Sequence, residues 1–142
     1  MEEGPEPGLQ LRFSLLVETG TPVVVGALAT GGVRRHVPVI AGHLECAEFW
    51  AQIIPGHGGE IWLERGDGVT VIEVHYLLRT AAGQVARVLG SGYATKAPHY
   101  PGTRITLIFE VEESGALSWL AERVFVAQRA AAAQVFDVAM VI

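Results

Sequence analysis

Cysteine is almost absent: Cys46 stands alone among 142 residues. One thiol makes no internal disulfide, which fits a reducing cytoplasm. Its neighbours Glu45 and Glu48 oppose thiolate formation, so it reads as a small buried hydrophobe rather than a nucleophile. Cationic clusters are scarce too. Ten Lys and Arg face fifteen Asp and Glu, a formal net charge of −5, and nothing is denser than Arg34-Arg35. A phosphate backbone would meet an acidic surface, which argues against a nucleic-acid partner. The most apolar tail, 124–142, is broken by Gln128, Arg129, Gln134 and Asp137. Each mid-span charge costs about 2.5–3.5 kcal/mol on insertion scales, so no membrane helix is expected there. Residues 1–8 are acidic and rich in Pro and Gly, a frayed leader rather than a signal peptide.

Site motifs are missing as well. There is no His-x-His, no HExxH and no second cysteine, so neither the His43/Glu45 pair nor Glu73 with His75 makes a recognisable metal site. No metal or cofactor is expected. Gly56-His-Gly-Gly59 and Gly90-Ser-Gly92 lack the lysine and the helix of a phosphate loop and read as turns or breaks. Arg65-Gly66-Asp67 reads as part of a hairpin turn.

What is present is strand. Half the residues are hydrophobic and the mean hydropathy is +0.35, much of it from alanine and valine. A chain of this length suits one domain with a real core, here 9–142. Residues 9–18 alternate with period two: Leu9, Leu11, Phe13, Leu15 and Val17 on one side, polar residues on the other. Further strands are predicted at 22–28, 36–41, 49–54, 60–64, 69–80, 84–89, 104–112, 124–128 and 135–142. Asp67-Gly68 is a hairpin signal. Residues 93–103 contain two prolines and read as a loop or lid, 114–122 as one helical turn, and alanines 130–133 as a marginal short helix. Short strands joined by tight turns indicate an all-β antiparallel sandwich or barrel.

Strand 69–80 is the most informative. Glu73, His75 and Arg79 share one of its faces, and both faces are largely apolar. Residues two apart on a strand lie about 6.5–7 Å apart at the backbone, so Glu73 and His75 can reach one ligand. A carboxylate beside an imidazole is a usable acid/base pair. The alternative is a polar stripe on a partly exposed sheet. Trp50, Trp62, Tyr76, Tyr93, Tyr100 and Trp119 are many aromatic residues for a small β domain. Rings of this kind build core or line a pocket for an apolar ligand. Trp119 reads first as a packing anchor. His36, His57 and His99 read as surface or loop residues.

An ordered set of motifs runs along the chain. Gly26, Arg34-Arg-His-Val-Pro-Val-Ile-Ala-Gly42, Ile53-Ile-Pro-Gly56 and Gly66-Asp-Gly68 are followed by Glu73-Val-His-Tyr-Leu-Leu-Arg-Thr80. Gly83, Gly92, Phe109-Glu110, Ser118-Trp-Leu120 and Phe125-Val126 complete it. The set resembles the family catalogued as domain of unknown function 3237, also called uncharacterised protein family 0311. The resemblance spans residues 9 to 142. It implies a single antiparallel β-barrel of about eight or more strands, with an internal cavity and one or two short helical turns, paired as a homodimer. It also implies that Glu73 and His75 face inward.

The polar set departs from the family pattern. Glu60-Ile61 stands where an Asp-Trp pair is usual, with Trp62 one place on. Glu73-Val-His-Tyr76 replaces Asp-x-Arg-Tyr, Ala82 replaces Asp, and Leu117 or Ser118 replaces Tyr. A titratable histidine gains acid/base capacity that arginine lacks. The expected function is a cytoplasmic, cofactor-independent cyclase or isomerase acting on an apolar, oxygenated, polyketide-like intermediate inside the barrel. Glu73, His75 and Glu60 would be catalytic. Tyr76, Arg87, Trp50, Trp62, Tyr93, Glu110 and Trp119 would bind substrate. The alternative is a non-catalytic ligand-binding barrel.

Overall fold

The structure is a computed structural model and describes residues 4–142. Part of the expected leader, residues 1–3, lies outside the described residues. Gly8 and Ile142 already exchange two backbone hydrogen bonds.

Ten strands carry the chain: β1 (Leu9–Thr19), β2 (Val23–Ala27), β3 (Val33–Glu45), β4 (Trp50–Ile53), β5 (Gly59–Glu64), β6 (Thr70–Thr80), β7 (Val85–Thr95), β8 (Gly102–Val111), β9 (Phe125–Ala130) and β10 (Val135–Val141). All the pairings are antiparallel. The long β3 pairs β5 through 33–38 and β4 through 43–45, so β4 and β5 share one slot between β3 and β6. β1 pairs both β10 and β3 and closes an eight-stranded ring. β2 lies outside it, paired to β3. One 3-10 turn, Ser118–Glu122, links β8 to β9.

Closure follows from the alternation. Phe13, Leu15 and Val17 of β1 point inward, as do Ile72, Val74, Tyr76 and Leu78 of β6 and Ile105, Leu107 and Phe109 of β8. Burying one such side chain contributes roughly 1.5–3 kcal/mol. Phe13, Phe109 and Phe125 cluster with centroids 5.1 to 6.2 Å apart. An eight-stranded barrel is just wide enough for side chains to fill. Here Leu15, Val88, Leu107, Phe125 and Phe136 fill it, each with no exposed surface. The roomy space expected inside lies on the outer wall instead.

Two local expectations give way. Gly90-Ser-Gly92 does not end its strand, because β7 runs on to Thr95 and leaves a loop of only 96–101. Both glycines are there for close approach: a Cβ on Gly90 would lie 2.5 Å from Leu107 Cδ2, and one on Gly92 would lie 2.1 Å from the Arg104 carbonyl. The alanines 130–133 form no helix: Ala130 ends β9 and residues 131–134 make the turn to β10.

The β5–β6 hairpin turns at Asp67-Gly68, as its sequence predicts. Arg65 Nε and the Val69 amide both donate to Asp67 Oδ1, at 3.1 Å each. The Arg65 hydrogen bond, then the Val69 amide, hold the Asp67 carboxyl at about 2. A depressed carboxyl contributes stability that is present above its ordinary value of 3.8 and lost as pH falls through about 2. A carboxyl-carbon NMR titration is expected to place the Asp67 midpoint near that lower value.

Candidate functional site

A groove of about 730 Å³ crosses the outer wall of the barrel. Its floor is the outward face of β5 to β8, and its far wall is the arm formed by β2 and β3. The cross-strand rows explain its chemistry. Ile61, Glu73, Ser91 and Thr106 lie side by side in one row, and Gly59, His75, Leu89 and Ile108 in the next. Gly59, Ser91 and Thr106 are small, so the floor stays low. Val23, His36 and Pro38 line the arm side, and Arg87 lines the other end.

Glu73 and His75 therefore face outward, not into the barrel. The reason is parity. Ile72, Val74, Tyr76 and Leu78 carry the larger apolar side chains to the axis, and closure turns the alternate face to the groove. Arg79, on that same face, is exposed and is not part of the groove lining.

Beside His36, Ser91 and Thr106, the groove holds one connected polar set around Arg87 and one unpaired carboxylate. Arg87 Nε donates to His75 Nε2 at 3.0 Å, and Arg87 Nη1 donates to Glu110 Oε1 at 2.6 Å. Accepting at Nε2 leaves the His75 ring proton on Nδ1, as a donor. Glu73 makes no side-chain hydrogen bond or ion pair among the described residues. It is a carboxylate with both oxygens available.

Glu60 is among the residues that line the groove, but its side chain is turned away from it. Its side chain is buried inside the barrel, directly behind the groove, where Gly59 and Ile61 on either side of it face out. Arg129 donates to both its oxygens, Nη1 to Oε2 at 3.2 Å and Nη2 to Oε1 at 3.1 Å. The Tyr76 hydroxyl donates to Oε2 at 2.6 Å and Trp62 Nε1 to Oε1 at 3.0 Å. The Arg129 guanidinium also lies 4.2 Å over the Phe136 ring. Burial first, then the Glu60 charge and hydrogen bond, push the Tyr76 hydroxyl well above the ordinary phenol range. Glu60, Tyr76 and Trp62 thus have their hydrogen-bonding capacity committed to one another and to Arg129. They brace the wall behind the groove and do not present groups to a ligand in it.

The other expected contacts disperse. Trp50 stacks on His43 with centroids 5.3 Å apart, and Tyr93 lies under the Arg65 guanidinium at 5.8 Å. Neither lines the groove. Trp119 packs on Phe13 at 6.2 Å under Arg12 at 5.0 Å, the packing anchor its sequence suggests. Glu110 reaches the groove through Arg87 alone. The Cys46 thiol donates to the Phe49 carbonyl at 3.4 Å, and burial pushes it above the ordinary thiol range.

Two residues went unrecognised in the sequence. His36, read as surface or loop, sits in the groove on β3. Arg129 shares the parity of Phe125 and Ala127, which marks it as an inward cation needing a carboxylate. The partner lies 69 positions away and only closure brings it near. Among the described residues no group of three or more His, Cys, Asp and Glu is placed to hold a metal.

Residues 7–141 match the model of the family described as "Protein of unknown function (DUF3237)". The chain belongs to that family. A curated relative of this DUF3237 protein, the UPF0311 protein of Clostridium acetobutylicum, is 25% identical over 88 residues. That is 62% of this chain and 55% of the relative, so the match spans about half the relative's length. A β-barrel-like protein from Acinetobacter baumannii is similar in structure with a TM-score of 0.85 at 20% identity, each chain covered in full. A protein of unknown function from Clostridium acetobutylicum gives 0.83 at 21%, covering 99% of this chain and 100% of its own. An enzyme from Penicillium herquei gives 0.80 at 16%, again with both chains fully covered. At these identities the likenesses establish the DUF3237 fold alone. No helix among the described residues is long and apolar enough to cross a membrane.

Proposed function

We propose that this DUF3237 barrel is a cofactor-independent isomerase or cyclase that moves a proton on an apolar, oxygenated, polyketide-like molecule held in the outer groove. One observation carries the reading: a free carboxylate, Glu73, and an oriented imidazole, His75, stand two residues apart on one strand in a groove of about 730 Å³. That volume is within the roughly 300–1,000 Å³ of small-molecule pockets. Glu73 acts as the base. His75, its Nε2 held by Arg87, donates through Nδ1 to the oxygen that gains charge. Val23, Ile61, Leu89 and Ile108 supply apolar contact. The fold shared with an enzyme from Penicillium herquei supports an enzymatic role by analogy, without naming a reaction.

The test needs no foreknowledge of the substrate. Enolisable aryl ketones and diketones are incubated with the protein in D2O, and loss of the acidic C–H signal is followed by proton NMR. Catalysed exchange is expected with wild type, and its slowing in Glu73→Gln and His75→Ala. Full exchange in both variants would overturn the proton-transfer reading. Ligand bound but never exchanged would point to a carrier.

The reading includes a second copy of the chain as partner. β2 is paired on one side only, and Val23, Val24 and Val25 are 65, 56 and 59% exposed. An apolar, uncharged edge of this kind is a template for strand pairing. Light scattering is expected to give twice the 15.2 kDa chain mass, and Val24→Lys to halve it.

A further inference from the structure

We propose that the Arg87–His75 end of the groove is an oxyanion site, and that the molecule it takes is a β-dicarbonyl compound bound as its enolate. The inference rests on the groove being the ligand site and adds the chemical class of the ligand. Arg87 spends Nε on His75 and one Nη1 hydrogen on Glu110. Its Nη2 has no protein partner among the described residues, and neither has His75 Nδ1. Two unspent donors, one of them cationic, thus belong to one hydrogen-bonded pair at one end of the groove. Glu110 cancels part of the charge of Arg87 from outside and anchors the guanidinium, so the fork is held in place before a ligand arrives.

The other end holds the opposite charge. Glu73 lies one row along, beside Ile61 and Ser91. Glu73 and His75 stand about 6.5–7 Å apart at the backbone on one face, so both can reach one ligand. A β-dicarbonyl compound suits both ends. Its central C–H is acidic, its enolate is planar and delocalised, and its flanks can be apolar enough for Val23, Leu89 and Ile108. The step balances within the groove. The C–H bond breaks, Glu73 takes the proton, and the electron pair moves through the carbonyl carbon to oxygen. The negative charge passes from Glu73 to an oxygen beside Arg87, with no change in net charge and no external oxidant or reductant. The groups facing this charge from the packed strands are His36 on β3, Glu73 and His75 on β6, Arg87 on β7 and Glu110 on β8.

A preformed enolate reports on the site without turnover. Benzoylacetone, whose enolate absorbs differently from its neutral form, is titrated with protein at a pH where the free compound is mostly neutral. Wild type is expected to raise the enolate band. Arg87→Met is expected to abolish the rise while circular dichroism stays unchanged, since the Arg87 side chain is 41% exposed and is not one of the core residues. Glu73→Gln is expected to bind the enolate more tightly, about three- to tenfold, because a like charge near the bound oxygen is gone. Wild-type enolate binding by Arg87→Met, or weaker binding by Glu73→Gln, would overturn the oxyanion site. The two readings fail separately. Proton exchange that survives Glu73→Gln sinks the catalytic reading and leaves the enolate titration standing. Exchange lost in Glu73→Gln beside an enolate band indifferent to Arg87 does the reverse.

Discussion

Replacing Arg129 with methionine is expected to destabilise the barrel by about 3–5 kcal/mol, the range for removing one partner of a buried ion pair. The expectation comes from what stays behind. Glu60 is 1% exposed and takes four hydrogen bonds, two of them from Arg129. Without the guanidinium, a carboxylate is left inside a hydrophobic barrel with the Tyr76 hydroxyl and Trp62 Nε1 as its remaining donors. Methionine matches the length of the arginine stem but removes the guanidinium over Phe136, so the loss reports on charge, hydrogen bonding and that ring contact together. In a chain of this size the midpoint of thermal unfolding is expected to fall by on the order of 10 °C. Adding Glu60→Gln to the same chain removes the orphaned charge but keeps an acceptor for Tyr76, and most of the loss is expected to return. If urea unfolding finds the double variant no more stable than Arg129→Met, the ion pair is not what the arginine supplies. Gly59, Ile61 and His75 sit beside Glu60 and Tyr76 in the chain, so the single variant is also expected to loosen the groove.

Glu73→Gln is expected to reduce proton exchange by about 10²- to 10⁴-fold, the usual contribution of a positioned general base. The amide keeps the size and most of the hydrogen-bonding capacity of the carboxylate but does not accept a proton at neutral pH. Glu73 is exposed and unpaired among the described residues, so the substitution is expected to leave the unfolding free energy within about 0.5 kcal/mol. A stable, folded variant that binds ligand and exchanges nothing is therefore the expected result. His75→Ala is expected to lose less, because Arg87 remains to meet the developing oxyanion. A Glu73→Gln variant with undiminished exchange would mean that Glu73 is not the base that takes the proton.

Much of the fold was legible because period two is a local property. The strand at 69–80, the Asp67-Gly68 hairpin and the apolar alternations of 9–18 and 104–112 all appear within one residue or two of the predicted limits. The misread elements share a cause. Gly90 and Gly92 look like breaks until β8 is seen to press against β7 at those positions, where a side chain has no room. Trp50, Tyr93 and Trp119 are equally aromatic in the sequence, yet each finds a different local partner and none reaches the groove.

Glu73 and His75 mark the division most clearly. Their shared face, their spacing and their suitability for acid/base work follow from the sequence alone, because alternate side chains of a strand point the same way. Whether that face meets the axis or the outside does not follow. Both faces of 69–80 are largely apolar, so local hydrophobicity does not choose between them. Closure of the ring chooses, by giving the axis to Ile72, Val74, Tyr76 and Leu78. It leaves Glu73 and His75 on an outer wall that the β2–β3 arm makes concave. The Glu60–Arg129 pair was hidden for the same reason, since residues 69 positions apart become neighbours only when a barrel is complete. The sequence by itself determined the strands and which side chains travel together. Only the tertiary structure decided which of those faces became core and which became groove, because that choice is made between strands and not within one.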